Sequence, residues 1–278
     1  MLSVIIPAYN EEGTLETAIR SLRDFFKEKG QDFELIIVDD GSRDKTCEVA
    51  RSLEGEVVRV FSYPKNRGKG YALKLGFEKS RGDRIVFFDS GLDFPPSQIT
   101  GFLGILEENN VALVIGSKRH PESEVDYPWH RRLVSFGAQT LIKLLFGLGV
   151  TDTQVGLKVF RREVLERVMP LILVKKYAFD VEVLALAHHY HFKIKEAPVR
   201  LRLAFSTAVG PRSLFETLFD TLSIFYRLKV IHFYDLPEEE RRRLLARYPV
   251  NLFDQFLVLI TRAFSSHSSA NSSSSCSK

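Results

Sequence analysis

Apolar residues recur along this chain in two alternating rhythms. Leu2 to Pro7 contains Val4-Ile5-Ile6, a continuous apolar run of the kind expected for a strand covered on both faces. Leu15, Ile19, Leu22 and Phe26 then fall at helical spacing with charged residues between them, and Gly30 closes the segment. Phe33 to Val38 is a second apolar run, ending abruptly in Asp39-Asp40-Gly41-Ser42. A helical pattern over Asp44–Leu53, a strand over Val57–Tyr63, a polar loop Pro64–Gly70, a helix over Tyr71–Lys79 and a strand over Arg84–Phe88 follow. This alternation predicts an α/β fold with a mainly parallel central sheet and helices on both faces. Ligands of such sheets bind beyond the carboxyl ends of the strands, where Asp39, Asp40 and Asp89 all sit.

The second half is less regular. Val111–Gly116 and Leu157–Phe160 read as short strands, Trp129–Gly147 as a helix, and Phe179–His189 as a helix feeding a strand over Phe192–Val199. Ser213–Lys229 sets Leu214, Leu218, Leu222 and Tyr226 in one row beside Phe215, Phe219 and Phe225, a strongly amphipathic helix. That face suits its own sheet, a second subunit in a homo-oligomer, or a lipid surface, where Leu252–Phe264 would add to it. Glu238–Arg243 reads as a solvated helical face. Ser265–Lys278 holds nine serines in fourteen residues and is expected to be disordered. The expected organisation is one domain over 1–208, an amphipathic helical appendage over 209–264 that associates with a membrane or a second copy, and a tail over 265–278.

Composition narrows the class. With 278 residues, 45% of them hydrophobic and 27% charged, the chain can bury a sizeable core. A formal charge of +4, from 39 basic and 35 acidic residues, does not describe a dedicated nucleic-acid binder. Two cysteines, Cys47 and Cys276, build neither a disulfide framework nor a cysteine metal site. The chain enters strand-like sequence at once, without a signal-like segment, so it reads as intracellular and cytoplasmic. Leu133–Thr151 has the length of a membrane span, but Lys143 at its centre costs roughly 3 kcal/mol on insertion, and a buried or interfacial helix is expected instead.

Phosphate-binding glycine motifs are missing from their places. After the first strand comes Pro7-Ala8-Tyr9-Asn10-Glu11-Glu12 rather than a dinucleotide fingerprint, and Asn66-Arg67-Gly68-Lys69-Gly70 lacks the spacing of a triphosphatase loop. The strand ends offer carboxylates instead, Asp39 and Asp40 on one side and Asp89 with Asp93 on the other. Carboxylates completed by substrate phosphates are the usual setting for Mg2+ or Mn2+. Such an ion suits transfer from a nucleotide sugar, whose departing diphosphate gathers negative charge.

Three blocks carry a family resemblance: Val4 to Glu12, Ile37 to Ser42, and Asn66 to Ala72. Phe88 to Pro96, Gly116 to Arg119, Asp152 to Lys158 and Phe179 to Glu182 follow in order. Over about residues 2–205 the chain resembles inverting glycosyltransferases of the GT-A nucleotide-sugar fold, and more closely the dolichyl-phosphate glucosyltransferase and mannosyltransferase group. The resemblance implies that Pro7, Tyr9 and Glu11 line the nucleoside pocket, with Asp39 on base or ribose and Asp40 supporting it, and that Arg67 and Lys69 meet phosphate or ribose. Asp89 matches the first aspartate of the family's metal motif. Gly91 replaces the second, and since residues 89, 91 and 93 of an extended segment point one way, Asp93 is its expected partner.

In the resembling group the donor is UDP- or GDP-hexose, with UDP-glucose favoured by Asp152-Thr153-Gln154, and the acceptor is a polyprenyl or dolichyl phosphate at the cytoplasmic membrane face. That acceptor is already an anion and needs positive charge rather than a general base. Lys118, Arg119, Arg131, Arg200 and Arg202 supply it, and Arg119 and Arg202 match basic positions of the family. A hydroxyl acceptor, soluble or on a growing glycan, would need a base, and Asp152, Asp180 or Glu182 could serve, with Gln154 beside them on the sugar. A nucleotide-sugar-binding protein without catalysis is the third reading, motivated by Gly91 and by Phe205-Ser206-Thr207. Each assignment also has a structural rival: Asp39 and Asp40 as caps, Asp93 as a turn residue, Asp180 and Glu182 as a solvated helix start, and His188, His189 and His191 as a surface cluster.

Overall fold

The computed structural model describes residues 1–91, 94–125, 129–176, 178–201 and 211–247, with 129–136, 211–214 and 247 described by their backbone alone. Contacts divide it into two compact units, Met1–Ala208 and Val209–Lys278.

The first unit begins with β1 (Leu2–Ala8), α1 (Leu15–Glu28), β2 (Phe33–Asp39), α2 (Thr46–Ser52), β3 (Val58–Ser62), α3 (Lys69–Lys79) and β4 (Arg84–Phe88). It continues with α4 (Ser97–Glu108), β5 (Leu113–Ser117), β6 (Glu124–Val125), α5 (Trp129–Phe146), β7 (Leu157–Arg161), α6 (Arg162–Val168), α7 (Phe179–His189), β8 (Ile194–Pro198) and β9 (Arg200–Leu201). The large sheet has the order β3-β2-β1-β4-β7-β5-β8, and β6 pairs with β9 in a small second sheet. β1 pairs in parallel with β2 on one side and β4 on the other, so the strand order reverses beside β1. In an open α/β sheet that reversal opens a crevice at the carboxyl ends.

Every residue of β2 and all but Pro7 of β1 are buried, as their continuous apolar runs demand. Leu15, Ala18, Ile19, Leu22 and Phe26 form the buried face of α1, and all but Ala18 join Val4, Ile6, Leu35 and Ile37 in one core. The opposite face is closed by α3, where Gly76 lies against Ile5 and Val38. β7 is antiparallel to both β4 and β5, so the sheet is mixed at that point. Apolar periodicity carries no strand direction, which is why the sequence leaves this reversal unread. β8 starts two residues later than expected, because the Phe192 N–H bonds Ala187 O and makes Phe192 part of the turn closing α7.

The second unit contains α8 (Pro211–Phe225), a π-helical turn Tyr226–Val230, and α9 (Glu238–Arg247). Ile224, Leu228, Phe233 and Tyr234 are buried, and the Arg227 guanidinium donates to Tyr234 Oη at 2.9 Å. Phe215, Leu218, Leu222 and Tyr226 form an exposed row. Among the described residues no helix is long and apolar enough to cross a membrane. The expected segments Leu252–Phe264 and Ser265–Lys278 lie outside the described residues.

Candidate active site

Loops from β1 and β2 are sewn together at the crevice. The Asn10 N–H bonds Ser42 Oγ at 3.0 Å and the Arg43 N–H returns to Asn10 Oδ1 at 2.9 Å. The Glu11 N–H reaches Thr46 Oγ1 at 2.7 Å, and the Lys45 N–H reaches Glu12 Oε2 at 2.9 Å. Thr14 Oγ1 donates to Glu11 Oε2 at 2.7 Å, which fixes the Glu11 side chain at the head of α1. Burial works to raise the Asp44 pKa, but hydrogen bonds from Thr46 and from the Glu12 backbone outweigh it and hold it low. Tyr9 projects from this seam, 39% exposed, while Pro7 O accepts a bond from Ser90 Oγ and ties the end of β1 to the segment after β4.

Asp39 and Asp40 are both buried, with different roles. Asp39 Oδ1 accepts the Ser42 N–H at 3.2 Å. Asp40 pins the loop before α3: its carboxylate accepts Tyr63 Oη at 2.7 Å, the Arg67 N–H at 2.7 Å and the Gly68 N–H at 2.9 Å. Burial, then the bond to Asp40, pushes the Tyr63 hydroxyl pKa well above that of an ordinary tyrosine. Arg67 stacks on Tyr71, 4.1 Å from the ring centroid, and bonds its hydroxyl. Gly68 has φ +97°, and a Cβ there would stand 2.4 Å from Lys175 O, so both backbone geometry and space require glycine.

Lys69 opens α3 beneath this loop, and its Nζ lies 2.6 Å from Asp89 Oδ1 at the end of β4. Both side chains are about one-third exposed. Burial disfavours the Lys69 ammonium, but Asp89 and then Asp180 outweigh it and raise its pKa. Asp89 fits only because residue 156 is glycine: a Cβ there would fall 2.1 Å from Asp89 Oδ2. Behind it, β7 carries Lys158, whose Nζ pairs with Asp180 Oδ1 at 2.8 Å and also donates to Val155 O. A lysine inside an otherwise apolar strand is the sequence signal for this pair, and the sequence reasoning missed it.

Glu182, fully buried, accepts the Leu173 and Val174 N–H groups at 3.0 and 2.7 Å. It thereby anchors the segment whose Lys175 O receives the Gly70 N–H at 2.9 Å. Asp180 and Glu182 are thus interior parts rather than the solvated helix start that was their structural rival. Asp152, 1% exposed, accepts the Gln154 N–H at 3.2 Å and lies 3.7 Å from Lys118 Nζ. Its own N–H, with the Thr151 N–H, bonds Glu196 Oε1 at 3.0 and 2.7 Å. Glu196 was also missed, since nothing about a lone glutamate in β8 announces two backbone partners. The Arg119 N–H bonds Ser117 Oγ at 3.2 Å, and Gln154 is exposed.

Asp93 and Arg202 lie outside the described residues, as does the side chain of Arg131. Among the described residues no group of three or more His, Cys, Asp or Glu gathers to hold a metal, the histidines of α7 included. Asp89 is a single hard oxygen donor at a strand end, which fits a cation whose remaining ligands are phosphate oxygens.

A parallel-to-mixed sheet with acidic strand ends at its reversal point is the architecture of GT-A nucleotide-sugar enzymes. Residues 3–169 match glycosyl transferase family 2, and the chain belongs to that family. It is 34% identical over 214 residues to the dolichyl-phosphate beta-glucosyltransferase of Homo sapiens, spanning 71% of this chain and 66% of that protein. The enzyme of the same name from Saccharomyces cerevisiae is 32% identical over 220 residues, 71% of this chain and 66% of that one. The chain therefore spans just under two thirds of the length of these relatives. Glucosyl-3-phosphoglycerate synthase of Mycobacterium tuberculosis, crystallised with Mn2+, UDP-glucose and phosphoglyceric acid, shares the fold with a TM-score of 0.64 at 23% identity, over 81% of this chain and 78% of that one.

Proposed function

We propose that the chain transfers glucose from UDP-glucose to a dolichyl or polyprenyl phosphate at a membrane surface, in a reaction dependent on Mg2+ or Mn2+. The observation that carries the reading is the Lys69–Asp89 contact at the crevice, between the head of α3 and the end of β4. The names of the relatives favour the lipid phosphate and the glucosyl group, and the M. tuberculosis structure with Mn2+ and UDP-glucose favours the donor and the metal.

Tyr9, Pro7, Glu11 and Asp39 hold the nucleoside against the sewn loops, while Asp40 keeps the Arg67–Lys69 stretch in place beside the phosphates. Asp89, with Asp93 on sequence grounds, would hold the metal, which when bound supplies charge neutralisation on the diphosphate. An oxygen of the acceptor phosphate attacks C1 of the sugar as the bond from C1 to the nucleoside diphosphate breaks, with inversion. The products are the lipid-linked sugar phosphate and UDP. The acceptor phosphate is an anion, so no proton need be removed. Lys118 and Arg119, with Arg131 and Arg202, lower the repulsion between the phosphate groups, which at about 4 Å is roughly 4 kcal/mol per pair of unit charges at an effective dielectric near 20.

The buried carboxylates support this acceptor over an alcohol. Asp180 is paired with Lys158 and Glu182 accepts two backbone N–H groups, so both carboxylates are committed to contacts inside the protein rather than placed to take a proton from an alcohol. Purified protein incubated with Mn2+, labelled UDP-glucose and dolichyl phosphate should yield a lipid-extractable glucosyl product. Label passing only to water-soluble alcohols, or only from GDP-mannose, would contradict the assignment.

A further inference from the structure

Asp89 has two oxygens, and each has a fixed neighbour. Oδ2 faces residue 156, where even a methyl group would collide at 2.1 Å, and Oδ1 is in contact with the Lys69 ammonium at 2.6 Å. Lys69 has little freedom to retreat along the chain. Its own residue begins α3, the preceding Gly68 N–H is bound by Asp40, and the following Gly70 N–H is bound by Lys175 O. Only the side chain can swing. Asp180, which also attracts the Lys69 charge, is already engaged by the buried Lys158.

We propose that Lys69 is a charge latch on Asp89, so that a divalent cation gains this carboxylate only together with a diphosphate that draws the ammonium away. The proposal rests on the reading of Asp89 as a metal ligand. Like charges repel, so a dication approaching Oδ1 meets an ammonium already there. A diphosphate supplies new anionic oxygens on which the same ammonium forms charge-assisted hydrogen bonds, freeing the carboxylate. Cation and nucleotide then bind with positive coupling, each strengthening the other by the same factor. The consequence for function is that the metal is recruited with the donor rather than held permanently, which makes Lys69 a positioning residue for the cation as well as a phosphate contact.

The test is Mn2+ binding to the full chain, measured by electron paramagnetic resonance of free Mn2+, with and without UDP, in wild type, Lys69→Gln, Lys69→Arg and Asp89→Asn. The latch predicts weak Mn2+ binding to the wild type alone and stronger binding with UDP. In Lys69→Gln, Mn2+ alone should bind about fivefold to tenfold more tightly, and the gain from UDP should shrink. Lys69→Arg, which keeps the cation, should keep the wild-type dependence on UDP. If Lys69→Gln binds Mn2+ alone no better than the wild type while Asp89→Asn abolishes binding in the presence of UDP, the latch is overturned and the metal site stands. If Asp89→Asn binds Mn2+ with UDP as the wild type does, or no variant binds Mn2+ at all, both readings fall.

Discussion

A hydrogen atom at position 156 is what lets Asp89 lie at the end of β4, so the smallest substitution there reaches the chemistry. Gly156→Ala should push the partly exposed Asp89 carboxylate aside with little loss of fold and lower turnover at least about tenfold, since small displacements of a reacting constellation are costly. Turnover with UDP-glucose, read beside the melting temperature, checks this. Lys158 differs from Asp89 in being 2% exposed and paired inside the protein. Lys158→Met strands Asp180 as a buried charge and should cost about 3–5 kcal/mol by denaturant unfolding, whereas adding Asp180→Leu should recover much of it. Tyr63 gives a pH signature. Its proton is held more tightly in the folded chain than in the unfolded one, so its contribution is present below about pH 10 and is lost as pH rises further. Unfolding curves across the alkaline range should therefore fall less steeply for Tyr63→Phe than for the wild type.

Elements hold these residues through backbone hydrogen bonds to carboxylates. Glu196 in β8 fixes the turn before β7 by accepting from Thr151 and Asp152, so Glu196→Ala should destabilise the unit by about 1–3 kcal/mol. Glu196→Gln should cost less, because an amide oxygen still accepts both N–H groups. Chemical denaturation of the two variants separates these outcomes. The strands and helices through β4 were legible from periodicity, because a buried parallel strand and an amphipathic helix such as α1 have unmistakable patterns. α4 drew no prediction: Ile99, Phe102 and Leu106 keep the helical spacing, but Gly101 and Gly104 dilute the signal. Asp89 and Lys69 were each legible at a strand end and a loop, but their contact was not, since it joins different elements across the switch point. The roles of Glu182 and Glu196 were hidden for a related reason. Their partners are backbone groups, which any sequence supplies.

The molecule as a whole carries a formal charge of +4, which favours anionic surfaces. Its second unit presents Phe215, Leu218, Leu222 and Tyr226 in an exposed row. If that row meets lipid, replacing Leu218 and Leu222 together by Asp should reduce co-sedimentation with vesicles containing anionic lipid, while UDP affinity stays unchanged. Equal sedimentation would assign the row to another partner. The central proposal concerns charge at the carboxyl edge of the sheet, namely that the end of β4 secures a divalent ion for the donor diphosphate. Anomalous diffraction from a crystal soaked with Mn2+ and UDP-glucose tests it most directly. The account predicts a manganese peak in direct contact with the Asp89 carboxylate and with diphosphate oxygens; a peak elsewhere, or a diphosphate bound away from the end of β4, would contradict it.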